Sequence, residues 1–237
     1  MNGNSETATP FRDHVPGSQP LNNSPEYGST HKRHPKQAAL RIPQGMTEIA
    51  GPRFTPTRYP PIADISRDGT HEAMGERIIV HGRVVDEDNR PVPNTMVEIW
   101  QANAAGRYNH PGDTHDSPLD PNFRGEGRVF SDGDGWYQFV TIKPGAYPWR
   151  NHFNAWRPNH IHFSLFGPGF ATRLITQMYF PGDPLLELDP VFHSVPDPQA
   201  RARLIAAFDI EVTRPEWALG YRFDFVLRGR DTTVERE

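Results

Sequence analysis

The chain has 237 residues, a formal net charge of -4 and no cysteine. This length predicts one domain with an extension, and the lack of cysteine excludes disulfides, thiolate nucleophiles and cysteine metal sites. No segment is basic enough for a nucleic-acid surface, and no apolar run is long enough to span a membrane. Because the polar N-terminus also lacks an apolar signal segment, we expect a cytoplasmic protein with no membrane or nucleic-acid partner.

The first 76 residues differ in composition from the rest of the chain. They are rich in proline, asparagine, serine, threonine and charged residues, with short apolar islands such as residues 38–43. A segment this long without regular structure is unusual in a compact domain, so we expect it to be ordered against another chain. We predict an irregular N-terminal arm over residues 1–76 that makes subunit contacts, followed by one catalytic domain over residues 77–237.

Short apolar segments alternate with turn residues from residue 77 onward. The predicted strands cover residues 77–86, 95–102, 136–142, 160–166, 173–180 and 221–228. Asp-Gly-Asp-Gly at 132–135 and Pro-Gly at 144–145 are strong turn signals between them. Short strands joined by such turns are typical of an all-β fold with a two-sheet β-sandwich core.

One short C-terminal helix is predicted after Asp197. Asp197 can cap it, and Pro198 suits the first helical position. Leu204, Ile205 and Phe208 would share one face of that helix. The predicted fold is therefore an all-β sandwich with one short C-terminal helix and a long irregular N-terminal arm.

Two histidines stand two positions apart on the predicted strand at 160–166. Side chains two residues apart point to the same side of a strand, so His160 and His162 lie side by side. Ile161 between them faces the core. Two imidazoles placed in this way are a common means of holding a metal, and a hydrogen-bonded histidine pair is the plain alternative.

The residues alone leave the other ligands of such a site open. A three-histidine zinc site or an iron(II) site of two histidines and one carboxylate is compatible with the sequence. The further ligands would come from His110, His115, His152, His193, Glu126, Asp183 and Asp189.

Two tyrosines at predicted turns indicate a different ligand set. Tyr108 follows a strand, and Tyr147 follows the Pro-Gly turn at 144–145. Phenolate is a hard anionic donor that suits Fe(III). Two phenolates and a hydroxide would balance its 3+ charge, and two neutral imidazoles would complete the ligand shell. Each tyrosine also has a structural interpretation. Tyr147 matches a Pro-Gly-x-Tyr pattern of small β-sandwiches in which the tyrosine is structural, and Tyr108 could be an ordinary aromatic residue of a loop.

Several segments together resemble a known family. The block Trp156-Arg157-Pro158-Asn159-His160-Ile161-His162 is the most specific, and segments 91–108, 141–151 and 174–184 accompany it. These segments resemble the intradiol ring-cleavage dioxygenases over about residues 75–230.

The resemblance implies a site for one non-haem Fe(III) ion. Its ligands would be Tyr108, Tyr147, His160 and His162, and the enzyme would open the ring of a catechol with O2. Tyr147 is further implied in taking up substrate protons. Arg157 matches an arginine that stabilises negative charge on the substrate ring.

The resemblance also implies a set of substrate-binding residues. Gln177 matches a pocket residue that helps to polarise the substrate, and Trp149 and Val191 match pocket walls. Tyr27 resembles a tyrosine of the arm that closes over the substrate.

Within the family, the likeness is greatest to members that cleave a carboxylated catechol, 3,4-dihydroxybenzoate. In those members a homologous α chain pairs with the iron-binding chain, and αβ units form a larger oligomer. The resemblance therefore implies an active site between two chains and an α chain that helps to recognise the carboxylate.

Two alternatives remain at this point. A catechol or hydroxyquinol 1,2-dioxygenase typically carries a helical N-terminal region, and residues 1–76 show no helical periodicity. A metal-free binding module of the prealbumin-like β-sandwich type accounts for Tyr147. It does not account for His160 and His162 together with Tyr108 and Arg157.

Overall fold

The structure, a computed structural model, describes residues 13–38, 40, 54–149, 153, 156–167 and 173–235. Within these ranges the regular structure is mostly strand. The strands are β1 (Arg67–Asp68), β2 (His71–Glu72), β3 (Arg77–Val85), β4 (Met96–Trp100), β5 (Glu126–Phe130), β6 (Trp136–Ile142), β7 (Tyr147–Pro148), β8 (Trp156–Arg157), β9 (His160–Phe166), β10 (Arg173–Tyr179), β11 (Ala207–Phe208), β12 (Leu219–Arg222) and β13 (Phe225–Val226).

Two large sheets make up the body of the fold. One sheet has the order β10-β9-β4-β5, and every neighbouring pair in it is antiparallel. The other sheet is built on β3, which pairs antiparallel with β6 and parallel with β12 and then β13. Strand β11 extends this sheet beyond β12. The pairs β1–β2 and β7–β8 stand apart from both large sheets.

An apolar core fills the space between the two large sheets. Ile161, Phe163 and Leu165 of β9 are fully buried in it, and Val80 and Phe139 come from the opposite sheet. Burial of each such side chain contributes about 1.5–3 kcal/mol. The predicted two-sheet β-sandwich is therefore confirmed. Because side chains alternate along β9, the residues between these three point away from the core.

Two strand predictions differ from the structure. The predicted strand at 221–228 is interrupted between β12 and β13, where the Phe223 carbonyl lies against Gly82 of β3 so closely that no Cβ fits at Gly82. The Asp224 carboxylate there accepts a hydrogen bond from the Arg83 amide at 2.8 Å. Strand β5 was not predicted, because Gly127 weakens its apolar pattern. Gly127 permits close packing, since a Cβ there would lie 2.5 Å from Ile65.

The helices within the described residues are α1 (Thr30–Arg33), α2 (Pro190–His193), α3 (Pro198–Ala202) and a 3-10 turn at Leu186–Leu188. The predicted cap of α3 is confirmed, since the Asp197 side chain accepts a hydrogen bond from the Gln199 amide. The extension of that helix to Phe208 was wrong. Tyr179 pairs instead with the backbone of Leu204 and Ala206, which requires extended chain. No helix in the described ranges is long and apolar enough to cross a membrane.

The described end of the predicted arm packs on the sandwich. Ile65 is fully buried in the core, and Ile62 forms a bridge with Arg128 of β5. The division of the chain at residue 76 stays a prediction. Most of the apolar island at 38–43 lies outside the described residues.

Candidate metal centre

Strand β9 presents His160 and His162 on the face away from the core. Their Nε2 atoms lie 3.2 Å apart. Trp100 of β4 is opposite His162 in the sheet register and stacks on its ring, with centroids 4.9 Å apart and planes within 8°. The stacking holds the His162 ring in one orientation, so that its Nε2 points along the sheet surface toward His160.

Tyr108 reaches the histidines from the loop that follows β4. The Asn103 side chain accepts hydrogen bonds from the amides of Ala105 and Arg107, both at 2.9 Å, and turns the chain back. The Asp113 carboxylate then accepts a hydrogen bond from the Tyr108 amide at 2.7 Å. This local structure places the Tyr108 hydroxyl 3.0 Å from Nε2 of His162.

Tyr147 approaches the histidines from the other side, on β7. Its hydroxyl lies 3.2 Å from Nε2 of His160. The rings of Tyr147 and Tyr108 meet edge to face, with centroids 5.3 Å apart and planes at 81°. Four donor atoms are therefore gathered here, each within hydrogen-bond distance of at least one other. They belong to Tyr108, Tyr147, His160 and His162.

Two glycines allow the tyrosine loops to approach each other. Gly106 has a φ of +77°, and a Cβ at this position would lie 2.1 Å from the Ala146 carbonyl oxygen. A Cβ at Gly145 would lie 2.4 Å from the Ala104 carbonyl oxygen. The loops thus touch backbone to backbone, and only glycine fits at either point. This contact sets the distance between Tyr108 and Tyr147.

The donor set fits a hard cation. Nδ1 of His160 lies 2.6 Å from the Pro158 carbonyl oxygen, which assigns the ring proton to Nδ1 and leaves a lone pair on Nε2. Burial, and then the charge of Arg157, lowers the pKa of His162 to about 3, so this imidazole is also neutral. Two neutral imidazoles and two phenol oxygens that face one another suit an ion such as Fe(III), which favours phenolate.

Burial also shifts the pKa of both tyrosines. It raises the pKa of Tyr108 well above its usual range, and the neighbouring Tyr147 raises it further. Burial raises the pKa of Tyr147 too, while the charge of Arg157 opposes that shift. Both phenols therefore keep their protons at neutral pH, even with Arg157 beside Tyr147, unless a metal cation binds them.

The other ligand sets that the sequence left open lack support in the described ranges. No group of three or more His, Cys, Asp or Glu side chains there is placed to hold a metal. Asp183 accepts hydrogen bonds from the amides of Asn159 and Leu185, and Asp189 pairs with Arg157. His152 lies outside the described residues.

Arg157 is buried beside the four donor residues. It lies in β8, directly opposite Tyr147 of β7. Its Nη2 donates hydrogen bonds to Gln177 Oε1 at 2.7 Å, to the Tyr179 hydroxyl at 3.1 Å and to Asp189 Oδ2 at 3.2 Å. Gln177 and Tyr179 share the site face because β10 places them opposite His162 and His160. A fixed positive charge therefore stands at the edge of the donor cluster.

The remaining predicted residues lie around Arg157. Its guanidinium carbon is 5.3 Å from the centroid of the Trp149 ring, and Trp149 meets Tyr27 edge to face at 5.2 Å. Val191 is buried at the start of α2. Val191 and Tyr27 both line a groove of about 690 Å³ between the described arm and the sandwich. None of the four donor residues lines this groove. Trp149 is linked to the donor cluster through Arg157, and Tyr27 is linked to it through Trp149.

The sequence did not predict a role at this site for Trp100 or Tyr179. It also did not predict that Asp189 pairs with Arg157. A signal existed for the first two, because strand parity and register place Trp100 beside His162 and Tyr179 beside His160. Asp189 begins an Asp-Pro helix cap, which marks a helix start but gives no sign of an arginine partner.

Comparison with family models gives two matches. A model described as "Dioxygenase" matches residues 49–229. A second model, described as "Protocatechuate 3,4-dioxygenase beta subunit N terminal", matches residues 11–45. The first covers most of the described sandwich and the second covers much of the described arm.

Known proteins are similar over most of the chain. The protocatechuate 3,4-dioxygenase beta chain of Burkholderia cepacia is 53% identical over 219 residues, covering 91% of this chain and 93% of that protein. The alpha chain from the same organism is 33% identical over 184 residues, covering 76% and 82%.

Solved structures share the fold. The dioxygenase domain of a carbohydrate-binding fusion from Streptomyces sp. SirexAA-E superposes with a TM-score of 0.52 at 28% identity, covering 76% of this chain and 94% of that one. Catechol 1,2-dioxygenase from Acinetobacter sp. ADP1 gives a TM-score of 0.51 at 27% identity, covering 73% and 60%. With the model match and the 53% identity, these likenesses show that the chain belongs to the intradiol ring-cleavage dioxygenase family.

Proposed function

We propose that this chain is the catalytic chain of a protocatechuate 3,4-dioxygenase. It opens the ring of protocatechuate (3,4-dihydroxybenzoate) with O2 to give 3-carboxy-cis,cis-muconate, a step of aromatic catabolism in the β-ketoadipate pathway. The observation that carries the proposal is the cluster of donor atoms from Tyr108, Tyr147, His160 and His162. Three distances of 3.0–3.2 Å link these atoms, from Tyr108 to His162, from His162 to His160 and from His160 to Tyr147. The 53% identity to a protocatechuate 3,4-dioxygenase beta chain supports the choice of substrate.

Non-haem Fe(III) is the proposed cofactor, held by those four side chains. When bound, it supplies a Lewis acid and a template that holds the catechol and makes its ring reactive toward O2. The phenol oxygens match its hardness, and the imidazoles present neutral nitrogen. His160 is buried, and Tyr108, Tyr147 and His162 are partly buried, so the fold shields the four donors in part from bulk water.

Tyr147 is proposed to act as a proton acceptor as well as a ligand. Burial raises its pKa, so a phenolate at this position binds a proton strongly. Arg157 lies beside it and offsets the cost of its negative charge. Tyr147 can therefore take a proton from a catechol hydroxyl at the site, which converts the neutral diol to the anionic form that a cation binds.

Arg157 is proposed to stabilise negative charge on the substrate ring. Its guanidinium is fixed by hydrogen bonds before any ligand arrives, and its charge cannot be removed at physiological pH. A preorganised charge in a water-poor site stabilises developing anionic character far more than the same charge in water. Gln177 completes this polar wall, while Trp149, Val191 and Tyr27 are proposed to enclose the ring.

The partner is proposed to be a homologous α chain, with αβ units in a larger oligomer. The α chain of Burkholderia cepacia is itself 33% identical to this chain, as expected for two chains of common origin. The N-terminal match over residues 11–45 supports the interpretation of the arm as a region of subunit contact. We propose that the arm over residues 1–76 meets the α chain and that the α chain helps to bind the substrate carboxylate.

Oxygen uptake tests the proposal. The chain is co-produced with its α chain, loaded with iron, and assayed with protocatechuate, catechol and hydroxyquinol. We expect uptake with protocatechuate to exceed uptake with either other diol at least tenfold. Greater uptake with catechol or hydroxyquinol would contradict the substrate assignment, and no uptake with any of the three by iron-loaded protein would contradict the reaction.

A further inference from the structure

We infer that Asp189 is the positioning residue that orients the Arg157 guanidinium in the active site. The inference rests on the proposed function, because it takes Arg157 to face the bound substrate. The sequence makes Asp189 a candidate metal ligand, but its contacts in the structure point to a different role.

Arg157 and Asp189 form a buried ion pair. Their side chains are 4% and 0% exposed, with Arg157 Nε 3.0 Å from Asp189 Oδ1. Nη2 of Arg157 donates a hydrogen bond to Asp189 Oδ2 at 3.2 Å, while the Nε–H is not aligned well enough with Oδ1 to form one. A buried cation without a counter-ion is strongly unfavourable, so the carboxylate allows Arg157 to be charged here. Because two carboxylate oxygens lie along one edge of a planar guanidinium, they also limit its tilt.

The Asp189 carboxylate is itself held by one backbone amide and one side-chain hydroxyl. Oδ1 accepts a hydrogen bond from the Val191 amide at 3.2 Å, as the cap of α2. Oδ2 accepts a hydrogen bond from the Tyr179 hydroxyl at 3.0 Å. The carboxylate therefore has contacts from a helix start and from the edge strand β10, and these contacts fix its position independently of the guanidinium. Asp189 also ties Arg157 to Val191, the predicted pocket wall.

Arg157 lies beside two residues of the proposed active site. Its guanidinium carbon lies 5.3 Å from the Trp149 ring centroid, and β8 places Arg157 opposite Tyr147. Asp189 contacts the Nε–Nη2 edge of the guanidinium, and Nη2 on this edge also donates to Gln177. Because the guanidinium is planar, fixing this edge orients the whole group, which is the arrangement needed to stabilise charge on a bound ring.

The test compares two Asp-Pro helix caps. Asp189→Asn keeps the shape and one acceptor oxygen but removes the charge beside Arg157. Asp197→Asn is the matched control, because Asp197 also precedes a proline and accepts a hydrogen bond from the amide two residues on, at 3.0 Å, without contacting Arg157. Each variant is co-produced with the α chain and loaded with iron. It is then assayed with the diol that the wild type cleaves.

We expect Asp189→Asn to lower kcat/KM about 100-fold, the usual scale for a group displaced by about 1 Å. We expect Asp197→Asn to leave kcat/KM within about twofold of the wild type. Iron content and the visible spectrum before substrate is added should be unchanged in both. Anaerobic titration with the diol, followed by the visible spectrum, should give weaker binding in Asp189→Asn alone. Equal kinetics and equal diol binding in the two variants would overturn the inference.

A double-mutant cycle separates positioning from a general structural effect. If Asp189 acts through Arg157, adding Asp189→Asn to Arg157→Lys should lower kcat/KM by less than about threefold further. A further loss of about 100-fold would show that Asp189 acts independently of Arg157 and would overturn the inference.

A third variant covers failure of Asp189→Asn to fold. Asp189→Glu keeps the charge but moves the carboxylate by one methylene, so it should fold and still lose at least about tenfold in kcat/KM. Wild-type kinetics in Asp189→Glu would then overturn the inference. Failure of the proposed function is a separate result, because it would appear as a wild-type enzyme that consumes no O2 with any catechol.

Discussion

The Tyr108 hydroxyl lies 3.0 Å from Nε2 of His162, although 54 positions separate the two residues in the chain. Strand β4 makes this contact possible. Trp100 at its end is opposite His162 on β9, and the Asn103 turn directs the following loop back over the same end of the sheet. The tyrosine and histidine donors therefore meet because one strand pair and one capped turn bring them together.

Tyr108→Phe tests whether this tyrosine is an iron ligand. Removal of the hydroxyl takes away a phenolate donor, so we expect a shifted, weaker tyrosinate-to-Fe(III) band in the visible and at least tenfold weaker iron binding. Tyr59→Phe, which changes a tyrosine that packs on Phe54 outside the cluster, is the control and should keep the wild-type spectrum. An unchanged band in Tyr108→Phe would remove Tyr108 from the ligand set.

Gly106→Ala tests the contact between the two tyrosine loops. The new methyl group would lie 2.1 Å from the Ala146 carbonyl oxygen, so the loops must separate and iron binding should weaken. Gly182→Ala is the matched control, since Gly182 has the same φ of +77° but open space around it. Both variants should lose about 1–2 kcal/mol of unfolding free energy to the left-handed backbone. Equal iron affinity in the two, measured by competition with a chelator, would contradict the role of the Gly106 contact.

His162→Gln tests the neutral state of this imidazole in metal-free protein. The pKa of His162 is lowered to about 3 in the folded chain, against about 6.5 when unfolded. The unfolded state therefore binds more protons between these values, and stability falls as the pH decreases from about 6.5 toward 3. We expect the wild type to lose up to about 1.4 kcal/mol per pH unit more than His162→Gln in this window.

Denaturant unfolding of metal-free protein at pH 7 and pH 5 measures that difference. The control is His71→Gln, which changes an exposed histidine on β2. It should lose as much unfolding free energy between pH 7 and pH 5 as the wild type does. Parallel curves for the wild type and His162→Gln would show that His162 is not held neutral by the fold.

Tyr137→Phe tests a contact of the fold that is distant from the proposed chemistry. The buried Tyr137 hydroxyl donates a hydrogen bond to the Phe223 carbonyl oxygen at 2.5 Å, at the break between β12 and β13. Its loss leaves that carbonyl without this donor, and we expect a cost of about 1–3 kcal/mol in unfolding free energy. Iron content and turnover should stay at wild-type values. A stable variant with lost activity would reverse the assignment of this residue to structure.

The sequence predicts some parts of this molecule well because the governing signal is local. Strand parity alone places His160 and His162 side by side, and the turn residues around β6 and β9 mark their ends. The cap at Asp197 is likewise a local pattern. The end of α3 was not predictable in this way, because pairing of Tyr179 with Leu204 and Ala206 decides it.

The tyrosines show where local signals end. Strand parity cannot bring Tyr108 or Tyr147 to the histidines, and each has an ordinary structural interpretation on its own. Their approach depends on contact between two loops distant in sequence, through Gly106 and Gly145. The ligand set is what the resemblance to a family implies, and it stays a prediction. The pairing of Arg157 with Asp189 is also a tertiary contact, which no spacing in the sequence indicates.

The most direct test of the account is the visible absorption spectrum of the iron-loaded αβ protein, recorded with its iron content. We expect one iron ion for each copy of this chain and a broad tyrosinate-to-Fe(III) charge-transfer band that changes when protocatechuate is added without oxygen. A colourless protein that stays colourless after iron loading would contradict the ferric tyrosine–histidine centre.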